Sequence, residues 1–233
     1  MRYERQIPIV GAEGQKKIMR SKVAVIGLGG LGCNVITHLA SAGVGRFVLA
    51  DDQSVEESNL NRQFVYSEKD IGAKKTERSA EWTRRLNPGA KIVQLDLEIN
   101  DRTARLIGKC DVIVDCTDNY DARIAINRYA IKNNIKLVHG GVSSLYGQVF
   151  VVVPFETPCL ECILPRTTEK NVPSISPMVG TIGSVQAAES LKLLSGTGSP
   201  LSGKLLTMDA SSNDYRITEI KRRDGCPGCS AKI

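Results

Sequence analysis

The run Val23-Ala-Val-Ile-Gly27-Leu-Gly29-Gly30-Leu-Gly32 constrains this chain more than any other. A short apolar strand ends in G-x-G-x-x-G, and a helical pattern of Leu31, Val35, Ile36, Leu39 and Ala40 begins directly behind it. Glycines allow a tight turn and close approach of backbone to phosphate, and the following helix offers free N–H groups at the positive end of its dipole. Asp51 stands 51 − 32 = 19 residues past the last glycine, at the end of a second strand pattern, where a carboxylate can accept from ribose hydroxyls. The set predicts a nucleotide site on Gly27, Gly29, Gly30, Gly32 and Asp51. A nicotinamide or flavin dinucleotide fits this much of the pattern equally well, and a bare structural turn is the simplest alternative.

The rest of the chain supports that strand–helix rhythm. Strand patterns occupy 22–26, 46–50, 91–97, 111–116 and 135–139, and helical patterns occupy 30–43, 73–86 and 122–133. This alternation predicts an α/β fold with a mostly parallel sheet and helices on both faces. Beyond Gly140 come a β-rich run (148–153), an irregular polar stretch (154–177), a long helix (179–194) and a closing β pair (204–209 and 215–221). The first twenty residues read as a charged arm. The expected organisation is one domain over 1–233, with an N-terminal arm (1–21), a nucleotide-binding half (22–140) and a substrate-facing half (141–233).

Composition excludes several classes. With 233 residues and 42% hydrophobic content the chain can bury a sizeable core, and a net charge of 31 − 25 = +6 is too thinly spread for a dedicated nucleic-acid binder. No run approaches a membrane span, and the polar start has no signal-peptide core, so a soluble cytoplasmic protein is expected.

The segment after Asp51 separates the nucleotide classes. Asn59, Arg62 and Lys75 follow the ribose acid, and Asp115-Cys-Thr-Asp118-Asn119 ends the fourth strand pattern. Hydride transfer calls for little cationic charge here, whereas a triphosphate calls for it. Arg62 can fork onto phosphate oxygens and Lys75 can act as a point charge. Asp118 is placed to hold Mg²⁺ against triphosphate oxygens, with an N-cap role for the next helix as the competing reading.

Seven cysteines include two C-x-x-C pairs, Cys159/Cys162 and Cys226/Cys229, which are 226 − 162 = 64 residues apart. Four thiolates suit a closed structural Zn²⁺ site, although the separation is long for a zinc ribbon; a redox dithiol or free thiols are the alternatives. Cys33 and Cys116 read as small core residues, His38 and His139 as structural histidines, and Trp82 as helix packing.

These residues together resemble the ThiF/MoeB/HesA family, the relatives of ubiquitin-activating enzymes. The resemblance runs nearly end to end. It rests on Arg2-Tyr-Glu-Arg5-Gln6, Gly27 to Gly32, Asp51, Ser58 to Gln63, Lys75, Cys116 to Asn119, both C-x-x-C pairs and Gly183-Ser-Val-Gln-Ala187. It implies a Rossmann-like sheet extended by antiparallel strands, with a C-terminal zinc knuckle on Cys159, Cys162, Cys226 and Cys229. It also implies an adenylyltransferase that uses ATP and Mg²⁺ to join AMP to a carboxylate, most often the C-terminal glycine of a ubiquitin-fold sulfur carrier in molybdopterin, thiamin or tRNA thiolation chemistry. Gly30 and Asp51 would then hold adenosine with Asn119 in the same site; Asn59, Arg62 and Lys75 the phosphates; and Asp118 the Mg²⁺. Arg5 would reach the partner's triphosphate in a homodimer.

One departure stands out. Several relatives carry a reactive cysteine in the loop before the late helix, whereas Thr167 to Pro177 has none, so adenylation without covalent transfer is expected. A lid over 165–177 is one expectation for this loop and a plain connector the other. Two further readings follow from the resemblance. The substrate could be a small-molecule carboxylate, such as the pyridinol carboxylate of [Fe]-hydrogenase cofactor assembly, or the chain could be a non-catalytic nucleotide-binding partner subunit.

Overall fold

The computed structural model describes residues 2–164, 173–197 and 201–230. Among these residues eight strands form one sheet: β1 (Lys22–Ile26), β2 (Arg46–Ala50), β3 (Lys91–Leu95), β4 (Val112–Asp115), β5 (Lys136–Ser143), β6 (Tyr146–Val152), β7 (Lys204–Asp209) and β8 (Asp214–Glu219). Their order is β3-β2-β1-β4-β5-β6-β7-β8. The first five are parallel and the last three join as antiparallel neighbours. The Rossmann-like parallel sheet with an antiparallel extension is therefore present.

The central strands are buried on both faces, which explains their unbroken apolar runs. Val23, Val25, Phe47, Leu49, Val112 and Val114 face one core layer, and Ala24, Ile26, Val48, Ile113, Leu137 and Phe150 face the other. Helices α1 (Ile7–Arg20), α2 (Gly30–Ser41), α3 (Lys75–Leu86) and α6 (Ser176–Ser195) cover the first layer; α4 (Tyr120–Lys132) and the short α5 (Leu160–Ile163) cover the second. The two layers have a physical source in the strand period of two, which sends neighbouring side chains to opposite faces.

The N-terminal segment departs from the expected charged arm. Residues 7–20 are helical with an interruption at Gly11, and the segment is docked rather than free. Val10, Gly14 and Ile18 lie at helical spacing among the charges and pack inward. Gln6 and Gln15 both donate to the Ala42 carbonyl, at 3.1 and 3.0 Å, and so satisfy the end of α2. Charge content hid this thin apolar stripe. Strand β5 is also longer than expected: Gly140 and Gly141 continue it to Ser143 by pairing with Val149 and Gln148 of β6.

Helix α6 crosses α2 closely at Gly183, where an added Cβ would lie 2.7 Å from the Asn34 Cβ. One turn later Gln186, fully buried, ties α6 to the sheet. Its amide donates to the Asp115 carbonyl at 2.8 Å and approaches the Val138 carbonyl at 3.4 Å. No helix among the described residues is long and apolar enough to cross a membrane.

Gln186→Leu keeps the volume but leaves the Asp115 carbonyl without that donor. It is expected to cost about 1–3 kcal/mol. Urea unfolding should show a lower midpoint at unchanged slope; an unchanged midpoint would contradict the anchoring role.

Candidate active site

Strand order reverses direction between β1 and β4: the chain steps from β1 out to β2 and β3, then returns to β4 on the other side. In open α/β sheets ligands bind in the crevice at such a switch point, outside the carboxyl ends of the strands. A cavity of about 960 Å³ opens there. Its wall runs from Gly27, Gly29 and Gly30 through Asp51, Asn59, Arg62 and Lys75 to Asp118 and Asn119, then across to Gln148 and Thr207.

The glycine turn is dictated by close approach. Gly27 sits at φ +86°, and a Cβ there would come 2.6 Å from the Cys116 carbonyl oxygen at the end of β4. Gly32 does not line the cavity. It packs behind the turn, where a Cβ would fall 2.1 Å from the Gly27 oxygen. Tyr66, which the sequence did not single out, steadies the same turn: its hydroxyl donates to the Leu28 carbonyl at 2.7 Å.

Asp51 accepts from the N–H groups of Leu28 at 2.7 Å and Gln53 at 2.9 Å. Burial pushes its carboxyl up, and although the Lys75 charge and these N–H groups pull the other way, burial prevails. Lys75, at the start of α3 and only 2% exposed, donates to the Gln53 side chain at 2.7 Å. Arg62 lies in the turn after Asn59 and is held by the Ser58 carbonyl and the Asn61 side chain, both at 2.9 Å. Asn59 is buried and accepts from the Glu56 N–H at 3.2 Å. Asp51, Asn59, Arg62 and Lys75 are thus brought to one cavity. Arg5 does not line it; it is exposed in the turn before α1.

At the end of β4, Asn119 is the N-cap of α4, accepting from the Ala122 N–H at 2.8 Å. Asp118 beside it is exposed on the cavity wall, and the N-cap role belongs to Asn119. Arg123, on the first turn of α4, was missed by the sequence reading. It donates to the Thr117 carbonyl at 2.8 and 3.2 Å and lines the cavity. Its signal was present: a cation four residues past an N-cap Asn faces that cap's loop.

Below this loop lies a buried pair. Asp115 and His139 are both fully buried neighbours on β4 and β5, with Nδ1 2.7 Å from the carboxylate. Burial would raise the Asp115 carboxyl, but the His139 hydrogen bond, the Arg123 charge and the Thr117 hydroxyl hold it below the usual range. Burial lowers His139, and this outweighs its carboxylate partner. The imidazole is therefore neutral near pH 7.

Of the expected lid, residues 165–172 lie outside the described residues. The following stretch bridges the β5–β6 turn, with the Ser144 N–H donating to Pro173 at 2.6 Å, and Ser174 lines the cavity.

On the opposite side of α4 the four thiols of Cys159, Cys162, Cys226 and Cys229 lie within 4.8 Å of one another. Cys159 and Cys226 are 3.7 Å apart, and Cys162 and Cys229 3.5 Å. Tetrahedral thiolates about 2.3 Å from one ion would stand about 3.8 Å apart, so the cluster fits a closed metal site. Glu161 between the first pair is buried and held by Arg128 of α4 at 3.0 and 2.8 Å.

Comparison with known proteins gives the chain's relatives. A model of the ThiF family matches residues 3–228. The Escherichia coli sulfur carrier protein ThiS adenylyltransferase is 37% identical over 98% of this chain and 94% of its own. The E. coli molybdopterin-synthase adenylyltransferase is 36% identical over 98% and 96%. The SAMP-activating enzyme E1 of Haloferax volcanii is 36% identical over 98% and 88%. A crystal structure of E. coli MccB with ATP superposes with a TM-score of 0.91 at 24% identity, covering 99% of this chain and 74% of that one, and so shares the fold.

The pair below the loop sets an acid limit. Folded His139 takes up its proton only below its ordinary value of 6.5, whereas the unfolded chain takes it up as pH falls through 6.5. Stability should therefore decline from about pH 6.5 downward. The Asp115 contribution, from a lowered carboxyl, is lost only in the lower carboxylate range. Thermal melts across this window should show a shallower decline in His139→Asn; an identical slope would contradict the assignment.

Proposed function

The chain belongs to the ThiF family, and on that premise we propose that it is an ATP-dependent adenylyltransferase acting on the C-terminal glycine carboxylate of a ubiquitin-fold sulfur carrier. The observation that carries this reading is the continuity of the cavity. It joins a nucleotide cradle at β1 and β2 to a second wall on β5, β6 and β7, with Arg62, Lys75 and Asp118 in the same enclosure. The names of the E. coli and Haloferax relatives supply the carrier class.

The chemistry needs no protein nucleophile. An ionised carboxylate oxygen attacks the α-phosphorus, the bond to the bridging oxygen breaks, and pyrophosphate leaves with its electrons. No proton has to move. Catalysis is alignment of the two reactants and stabilisation of charge on the phosphates. Asp51 accepts from the ribose hydroxyls while the N–H groups at the start of α2 face phosphate. Arg62 and Lys75 supply fixed positive charge. Asp118, an exposed carboxylate on the cavity wall, would hold Mg²⁺, which when bound neutralises phosphate charge. Arg5 reaches the site of a second copy in a homodimer, which accounts for its place outside its own cavity. With no cysteine from Thr167 to Pro177, the reaction stops at acyl-AMP and sulfur enters from a separate donor.

The four-cysteine cluster binds Zn²⁺ as a structural ion in this reading. The site is closed by four thiolates and ties the C-terminal tail to the loop after β6. Cys226→Ala should lower bound zinc and the melting temperature together. Full zinc content in that variant would exclude the cluster as the site.

ATP–pyrophosphate exchange with purified carriers ending in Gly-Gly tests the activity. Arg62→Ala and Asp118→Ala should each reduce exchange by at least ~10²-fold, the scale of one electrostatic contact to a reacting group. Arg5→Ala should fall similarly, and mixing it with Arg62→Ala should restore exchange above either alone. Exchange with small carboxylates but no carrier would replace the proposed substrate class. Activity retained in Asp118→Ala would remove its metal role.

A further inference from the structure

The Asp115–His139 pair continues to the cavity through one more residue. The side-chain nitrogen of Gln148 lies 3.4 Å from His139 Nε2, and Gln148 lines the cavity. The two contacts fix the state of the ring. An ionised Asp115 only accepts, so Nδ1 carries the hydrogen; an amide nitrogen only donates, so Nε2 carries the lone pair. His139 is thus the neutral Nδ1–H tautomer, and one Gln148 N–H is spent on it. The other N–H and Oε1 remain for a ligand.

The chain has two fixed ends. Asp115 accepts from the Thr117 N–H at 3.0 Å and the Thr117 hydroxyl at 2.7 Å, which sets the loop that carries Asp118. Gln148 pairs across β6 with Gly141 on one side and Thr207 on the other. That places it on the far side of β4 from the glycine turn and Asp51. A packed core does not require this arrangement. The same sheet face is filled by Ile113, Leu137 and Phe150, and a buried ionic group is commonly no more stable than an apolar one of similar size. What the polar chain adds is orientation.

Resting on the adenylyltransferase reading, we propose that His139 is a positioning residue, anchored on Asp115, that orients the Gln148 amide to bind the carboxylate substrate rather than the nucleotide. Gln148 is the contact and His139 acts through it. A bound acyl group receives the free Gln148 N–H, while Thr117, next to Asp118 in the loop, is held on the opposite side by the same carboxylate. The carboxylate and metal ends of the reaction thereby share one rigid support.

Two measurements test this. Nitrogen-15 NMR on the ligand-free chain reads the ring directly, because the protein has only two histidines and His139→Asn assigns the second. The Nδ1–H tautomer at neutral pH is expected; an Nε2–H ring or an imidazolium would overturn the proposal. In pyrophosphate exchange with a purified ubiquitin-fold carrier ending in Gly-Gly, Gln148→Leu and His139→Asn should each raise the carrier KM roughly tenfold, the scale of one hydrogen bond to a charged group. The ATP KM should stay unchanged, and the double variant should be no worse than Gln148→Leu alone. Equal rises in the ATP KM, or additive effects, would reduce His139 to a structural residue. Gln148→Leu alters only a cavity wall and keeps the test open should His139→Asn fail to fold. Wild-type protein without exchange would instead sink the adenylyltransferase reading, and the substrate half of this proposal with it, whereas the tautomer is read without any substrate.

Discussion

The contact on which the rest of this structure depends is backbone against backbone: the Gly27 turn against the end of β4. With Gly27 at φ +86° and no side chain, the Cys116 carbonyl fits into the space a Cβ would take, and Gly32 closes the turn from behind in the same way. This brings the start of α2 over the gap between β1 and β4. From there the free N–H groups of the helix, the Asp51 carboxylate and the Thr117–Asn119 loop all face a single crevice. Bulk at either glycine would push the helix away and separate the groups that the reaction must bring together.

Around that contact the polar side chains serve mostly to hold backbone in place. Asp51 accepts the Leu28 N–H on one oxygen and the Gln53 N–H on the other. Tyr66 holds the Leu28 carbonyl, Gln186 holds the Asp115 carbonyl, and Arg123 holds that of Thr117. Each of these side chains is matched to a backbone group near the cavity. Rigidity of this kind suits adenylylation, where the protein supplies alignment and charge rather than a covalent intermediate. The four-cysteine cluster extends the same logic further along α4. There Arg128 grips Glu161 between two of the thiols and ties that cluster to the helix whose first turn caps the site.

Much of the parallel part of the sheet was legible in the sequence because its signals are local. The glycine spacing, the acid ending a strand, and the apolar runs of strands buried on both faces each follow from a few neighbouring residues. The N-terminal helix was not legible: Val10, Gly14 and Ile18 make a thin apolar stripe among charges, and what stabilises it is the Ala42 carbonyl, 36 residues from Gln6. His139 was read as a satisfied structural histidine, and its burial agrees with that. Its contact with Gln148 is invisible in the sequence because the β5–β6 register decides it.

The sequence by itself determined the α/β rhythm, the glycine turn, the identity of the charged residues that line the cavity and the four thiols, since period, spacing and residue chemistry are properties of the chain. Only the tertiary structure decided which of these meet. It put Gly32 behind the turn and Arg5 outside its own cavity, and gave the helix cap to Asn119 rather than Asp118. It also joined cysteines 64 residues apart. The physical reason is that such groups are brought together by strand order and register, and these are fixed by long-range pairing and core packing rather than by any local preference.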